Sequence, residues 1–156
     1  MVNQISFVSI YVGMVLALEI ALLPLPNVQL TFTLLTVFVL NFSFKESFLV
    51  ILSYNLIKTI LWGMNIMTLA GLIGWLSILL FKKIPYNYLT VVIVSILVMS
   101  AYAPFNIILY NLPVVSYFIA DAPFTLIFVV SNVITLMWLK GHLNRVVKGF
   151  KKYDRV

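Results

Sequence analysis

The chain has 156 residues, of which 63% are hydrophobic and only 9% are charged. Soluble domains usually carry charge on about a quarter of their residues, so this composition excludes an ordinary soluble domain and indicates an integral membrane protein. The net charge of +6 does not indicate nucleic-acid binding, because the basic residues lie in short connections and at the C-terminus, where they set orientation in the membrane.

Six apolar segments follow one another along the chain, and a proline, glycine or charged break separates each from the next. The predicted spans are 5–23, 28–44, 47–64, 66–81, 89–110 and 122–139, and the last connection, 111–121, is apolar enough to form a partly buried lid. We therefore predict an all-α integral membrane protein, a compact bundle of six transmembrane helices, with residues 1–156 forming a single domain.

The distribution of positive charge predicts the orientation of this bundle. With six spans, two lysine-containing connections and the basic tail 140–156 lie on one side of the membrane, and the positive-inside rule makes that side, with both termini, cytoplasmic. Nine of the ten basic residues fall there: Lys45, Lys82, Lys83, Lys140, Arg145, Lys148, Lys151, Lys152 and Arg155. The tail is expected to continue the last helix along the membrane surface, with a plain stop-transfer anchor as the alternative.

The tenth basic residue, Lys58, lies in the middle of the third span, and Glu19 lies in the outer part of the first. A lysine at a helix centre costs roughly 3 kcal/mol in the bilayer unless it faces a partner or a wet cavity. Asn55, Trp62 and Asn65 lie on the same helical face as Lys58, so we expect that face to point inward. Two interpretations stay open: Lys58 contacts a ligand, or it pairs with Glu19 and sets the helix register.

Further polar and aromatic residues are concentrated toward the outer side. Singly, such residues are more typical of interfacial belts or of hydrogen bonds between helices. Together they favour a site for a planar or amide-bearing, water-soluble metabolite. They are Asn27, Gln29, Trp75, Asn106, Tyr110, Asn111 and Asp121, with Asn132 deeper in the last span.

Small residues recur every four positions in the first span, at Ser9, Gly13, Ala17 and Ala21. Such a stripe lets two helix backbones approach closely in lipid. It either packs against another helix of this chain or docks against a separate protein.

Motifs for catalysis are missing from the sequence. It has no cysteine and no metal-binding cluster, glycine-rich phosphate loop or paired carboxylates, and its one histidine, His142, lies in the basic tail. No span shows the repeated polar stripe of a channel. We therefore predict a non-catalytic protein with no catalytic residues, no metal and no cofactor of its own.

The chain resembles the substrate-binding S components of energy-coupling factor (ECF) transporters along its whole length. The resemblance rests on the six short spans, the stripe Ser9-x-x-x-Gly13-x-x-x-Ala17, and the segment 25–31 that leads into the second helix. It rests also on Ala122-Pro123-Phe124-Thr125-Leu126-Ile127, which would open the last helix, and on the Ser131-Asn132 pair that follows. The stripe departs from the family's usual alanines at Ser9 and Gly13.

The resemblance implies a multi-pass protein of the bacterial cell membrane that captures a water-soluble vitamin from outside. Its first helix would dock, through Ser9, Gly13, Ala17 and Ala21, onto a membrane T component that carries two cytoplasmic ATPases. Those partners, and not this chain, would use ATP and Mg. Besides the vitamin and these subunits, the lipid bilayer is the expected partner, and nucleic acid is not.

The vitamin is less well specified by the sequence. An inward-facing Lys58 gives a slight preference for anionic pantothenate, followed by hydroxymethylpyrimidine or a pyridoxine-type ring stacked on Trp62. That preference disappears if Glu19 neutralises Lys58. The alternative from another class is a small membrane scaffold or regulatory subunit without a metabolite ligand. An intramembrane enzyme would need a catalytic pair that the sequence lacks.

Overall fold

The computed structural model describes residues 2–22, 24, 30–84 and 87–153, without the side chains of 2–4, 143–144 and 146–153. All regular structure in these residues is helical, which confirms the predicted all-α class. The elements are α1 (Val2–Leu22), α2 (Leu30–Asn41), α3 (Phe44–Trp62), α4 (Ile66–Ser77), a short 3₁₀ helix (Ile78–Phe81), α5 (Tyr88–Ser100), α6 (Ala103–Tyr110) and α7 (Val114–Tyr153).

Two of the predicted breaks are built from helix caps. At the start of α3, Ser43 accepts a hydrogen bond from the Glu46 backbone N–H, and the Glu46 carboxylate accepts one from the Ser43 N–H at 2.8 Å. At the next break, Gly63 has a φ of 85°, a left-handed value that suits glycine, and Asn65 caps α4 by accepting from the Thr68 N–H. These local bonds satisfy backbone groups that the helix ends leave unpaired.

Three helical segments of the described chain are long and apolar enough to cross a membrane: Ile5–Leu22, Tyr88–Tyr110 and Val114–His142. Two shorter apolar helical segments, Leu30–Asn41 and Ile66–Phe81, lie between them. This composition supports a membrane protein. A helix of 12 residues such as α2 is only about 18 Å long, which is shorter than the roughly 30 Å of a bilayer's hydrocarbon core.

The structure divides the fifth predicted span into two helices and moves the start of the last one. The span 89–110 is divided at Ala101–Tyr102 into α5 and α6, because Pro104 has no N–H to donate to the carbonyl one turn earlier. The connection predicted at 111–121 is only three residues long, and α7 begins at Val114, directly after Pro113. Pro123 therefore lies inside α7 and does not open it, a position that membrane helices tolerate.

Helix α2 forms the centre of the core and packs against α1, α3, α5 and α7. Every residue from 31 to 39 is buried. The Tyr11 hydroxyl of α1 donates to the Leu34 carbonyl at 2.7 Å. Asn132 of α7, fully buried, is within hydrogen-bond distance of Thr33 on α2 (3.3 Å) and of Ser95 on α5 (3.4 Å). Asn132 thus links three helices.

The basic connections meet at one end of the bundle, here called the basic end. The Lys82 ammonium, from the connection before α5, donates to the carbonyl of Phe42 and, at 3.2 Å, to the hydroxyl of Ser47. Burial lowers the pKa of Lys82, and the nearby Glu46 carboxylate opposes that effect. The Lys140 ammonium of α7 lies 4.9 Å from the centroid of the Tyr88 ring. The connections α3–α4 and α6–α7 lie at the opposite end, here called the far end.

Candidate ligand-binding site

A cavity of about 310 Å³ lies between α4, α5, α6 and α7 and runs from the far end toward the middle of the bundle. That volume is at the small end of the range for ligand pockets, about 300–1,000 Å³. Its walls combine aromatic rings with a few polar groups. They are formed by Trp75, Val98, Met99, Tyr102, Asn106, Tyr117, Asp121 and Phe128.

The polar side chains in the cavity wall lie near the ends of helices. Tyr102 lies in the turn between α5 and α6, and Asn106 lies in the first turns of α6. Because α7 starts at residue 114, Tyr117 and Asp121 fall in its first two turns, facing α6. The Asn106 amide donates to the Tyr117 hydroxyl at 3.1 Å, and the Asp121 carboxylate accepts from the Thr125 hydroxyl at 2.8 Å. A carboxylate, an amide and two phenols thus line one side of the cavity.

Aromatic rings connect the cavity to the core. Trp75 is 3% exposed and its ring centroid lies 5.9 Å from that of Phe32. Phe32 in turn meets Phe128 edge-on at 5.1 Å. On the other side of Trp75, Tyr54 makes an edge contact at 5.8 Å. These ring contacts link the Trp75 wall of the cavity to the aromatic core.

Tyr54 belongs to a hydrogen-bonded cluster with Glu19 and Lys58. The Lys58 ammonium lies 2.7 Å from one Glu19 oxygen, and the Tyr54 hydroxyl donates to the other oxygen at 2.5 Å. The side chains of Lys58 and Glu19 are 33% and 15% exposed. Of the two sequence interpretations, the geometry is that of the ion pair. Lys58 is neutralised and does not line the cavity, so the argument for an anionic ligand loses its basis.

The other residues predicted on the same helical face as Lys58 do not line the cavity. Asn55 is buried and its amide donates to the Ile51 carbonyl at 2.8 Å. Trp62 is 42% exposed, with its ring centroid 6.0 Å from the Lys58 ammonium. Asn65 is exposed and serves as the cap of α4. The predicted inward face therefore carries the ion pair of Lys58, a hydrogen bond within α3 and the cap of α4.

Of the residues predicted toward the outer side, the structure brings Trp75, Asn106 and Asp121 together in the cavity. Tyr110 is 62% exposed and Asn111 ends α6 in the left-handed conformation. The other members of that set lie elsewhere: Asn132 joins helices in the core, and Asn27 and Gln29 lie outside the described residues.

Five cavity residues were not singled out by the sequence: Val98, Met99, Tyr102, Tyr117 and Phe128. A signal for two of them existed. Tyr117 and Phe128 lie four residues before and seven after Asp121, which places all three on one face of a helix that starts early enough. Because the last span was predicted to start at residue 122, Tyr117 and Asp121 were assigned to a connection and not to a helical face.

No family model, curated protein or solved structure matches this chain. Within the part of the chain that the structure describes, no group of three or more His, Asp or Glu residues could hold a metal ion.

The small residues of α1 face outward. Ser9, Gly13, Ala17 and Ala21 are all exposed. A Cβ atom added at Gly13 would meet no described atom within 4 Å. No described helix of this chain therefore packs on the stripe at Gly13, so packing within the described part of the chain does not account for the small residue there.

Proposed function

We propose that this chain is the substrate-binding membrane subunit of an ATP-driven importer of the ECF type, resident in a bacterial cell membrane. In this proposal α1, α2, α3, α4 with its 3₁₀ extension, α5 with α6, and α7 are six spans, and the basic end is cytoplasmic. The far end then faces outside. The chain captures a water-soluble vitamin there and releases it inside after docking on a T component.

The cavity is the observation that carries this proposal. It lies between four helices, toward the end without the basic connections, and is lined by aromatic rings with one amide and one carboxylate. Aromatic walls supply contact area for a planar ring, and a few polar groups fix its orientation. A subunit whose only role is assembly has no need of such a cavity.

The exposed stripe supports the docking half of the proposal. Ser9 also lines a groove of about 380 Å³ between α1 and α3, together with Leu49 and Ser53 near the basic end. A helix of a T component could approach the backbone of α1 closely along this surface. ATP and Mg would be used by the two ATPases carried by the T component, and this chain is proposed to be non-catalytic.

Among the vitamins considered, rings fit the observations better than pantothenate. The carboxylate of pantothenate was favoured by an unpaired Lys58, and Lys58 is paired with Glu19 at 2.7 Å. Hydroxymethylpyrimidine or a pyridoxine-type ring could stack on Trp75 or Tyr102, which line the cavity. Stacking on the exposed Trp62, expected from the sequence, would leave the ligand outside the cavity.

A small membrane scaffold or regulatory subunit is the second candidate. The exposed stripe on α1 favours it as much as it favours the importer, since both need a partner helix. It differs in one respect: a scaffold should bind no metabolite.

Native mass spectrometry of the detergent-purified chain, exposed to a panel of B-type vitamins, tests the proposal. We expect a one-to-one adduct with one vitamin. Asn106→Leu should weaken that adduct because it removes the amide from the cavity wall. Tyr110→Leu, one turn further along α6 and outside the cavity, is the matched control and should retain the adduct. Absence of any adduct from folded protein would favour the scaffold.

A further inference from the structure

Few ionisable residues lie near the cavity, and they determine its charge. The sequence has no Asp, Glu, Lys or Arg between Lys83 and Lys140 except Asp121. Glu19 and Lys58, the other two charged residues distant from the basic end, neutralise each other in the ion pair. Asp121 is therefore the one unneutralised charge among the described residues of the far end, and it lies in the cavity wall.

Four aromatic side chains surround the same space: Trp75, Tyr102, Tyr117 and Phe128. The faces of aromatic rings carry negative electrostatic potential and attract a cation within about 6 Å. The carboxylate of Asp121, in the same cavity wall, adds a full negative charge that also attracts a cation. This combination suits a positively charged group more than a neutral or negative one.

An anionic ligand would meet the opposite situation. It would bring a second negative charge next to the partly buried Asp121 carboxylate and displace part of its hydration without supplying a positive partner. The one hydrogen bond seen to Asp121, from Thr125 at 2.8 Å, does not supply a charge. Discrimination against anions therefore follows from the same residue that attracts cations.

We propose that the cavity selects a small organic cation, a planar ring or compact amine whose positive nitrogen lies beside Asp121 with its ring against the aromatic walls. The inference rests on the proposed function, because it takes the cavity as the ligand site. It narrows the ligand from water-soluble vitamins in general to ring compounds that carry a positive charge at neutral pH, and it therefore places uncharged hydroxymethylpyrimidine and pyridoxine behind a cationic ring. The Asn106 amide and the Tyr117 hydroxyl, joined at 3.1 Å, supply orientation.

A series of probes that differ in charge on one ring tests this inference. The probes are 1-methylnicotinamide, which is a cation, neutral nicotinamide and anionic nicotinate, each measured by equilibrium dialysis against the full purified chain. We expect 1-methylnicotinamide to bind at least about tenfold more tightly than nicotinamide, and nicotinate not to be retained.

Variants then locate the source of the preference. Asp121→Asn should reduce the affinity for 1-methylnicotinamide by about tenfold and leave the affinity for nicotinamide nearly unchanged. Asp121→Glu should keep the preference for the cation. Glu46→Gln removes one negative charge at the basic end while keeping an amide that can cap α3, and it should change nothing.

The outcomes separate this inference from the importer proposal. Equal binding of the three probes, binding of nicotinate, no binding of the cation, or an unaltered preference in Asp121→Asn would each overturn it. If a neutral or anionic vitamin binds through Asn106 while the cation is not preferred, the importer proposal stands and the cation inference fails. If the cation binds through Asp121 and no vitamin is retained, the cation inference stands and the importer proposal fails.

Discussion

The cluster of Glu19, Lys58 and Tyr54 predicts that its two charged residues contribute unequally to stability. Replacing the lysine should destabilise the protein more than replacing the glutamate. In Lys58→Met, a carboxylate that is only 15% exposed loses its cation and, among the described residues, keeps the Tyr54 hydroxyl as its donor. In Glu19→Gln, the amide oxygen can still accept from Tyr54, and Lys58, one turn from the end of α3, can extend toward the membrane surface.

The magnitudes follow from the exposure of the pair. Exposed ion pairs contribute about 0–1 kcal/mol, and removing one partner of a fully buried pair costs about 3–5 kcal/mol. Because Lys58 is 33% exposed, we expect intermediate values: a loss of about 2 kcal/mol in the free energy of unfolding for Lys58→Met and about 1 kcal/mol for Glu19→Gln. The double variant should be less destabilised than the sum of the two by about 1 kcal/mol.

Denaturation of the detergent-purified protein by SDS, followed by circular dichroism, measures these free energies. Ile57→Met, at a partly exposed position beside Lys58, is the control for the added methionine and should have little effect. A larger loss for Glu19→Gln than for Lys58→Met, or strictly additive effects in the double variant, would refute the reasoning.

Three further predictions concern single positions. Gly13→Leu should abolish co-purification with a T component and leave the unfolding transition unchanged, because a side chain there meets no described atom within 4 Å. Gly71→Ala should weaken ligand binding measured by equilibrium dialysis, because the new Cβ would lie 2.8 Å from the Tyr102 hydroxyl and displace that ring into the cavity or away from it. Asn132→Leu should lower the free energy of unfolding in SDS by about 1–3 kcal/mol, because it leaves two buried hydroxyl groups without their amide partner; an unchanged transition would show that these bonds contribute nothing.

The helical class and several breaks could be predicted because local chemistry determines them. Gly63 and Asn65 end one helix and cap the next whatever surrounds them. The roles of Pro104, Pro113 and Pro123 were harder to predict. Pro104 begins a helix, Pro113 precedes one and Pro123 lies inside one, yet all three are flanked by apolar residues. Since neighbouring helices can satisfy the carbonyl that a proline leaves free, the sequence around it does not decide which role it takes.

Only those residues of the candidate site that are unusual in an apolar sequence could be predicted. Trp75, Asn106 and Asp121 stand out in an apolar sequence. Tyr102 and Tyr117 do not, because the chain has eight tyrosines and only tertiary packing selects these two. Helical periodicity also places Lys58 on a face without giving its distance to another helix, which is why ligand contact and ion pair were equally compatible with the pattern.

The length of α7 has a mechanical consequence. Its 40 residues form a rod of about 60 Å, roughly twice the thickness of the hydrocarbon core. The first turns of this rod carry Tyr117 and Asp121, and its last turns carry the basic tail. A tilt of about 5° at the cavity would therefore move the opposite, C-terminal end of α7 by about 5 Å. A straight α7 would in this way convert a tilt at the cavity into a displacement of the basic tail.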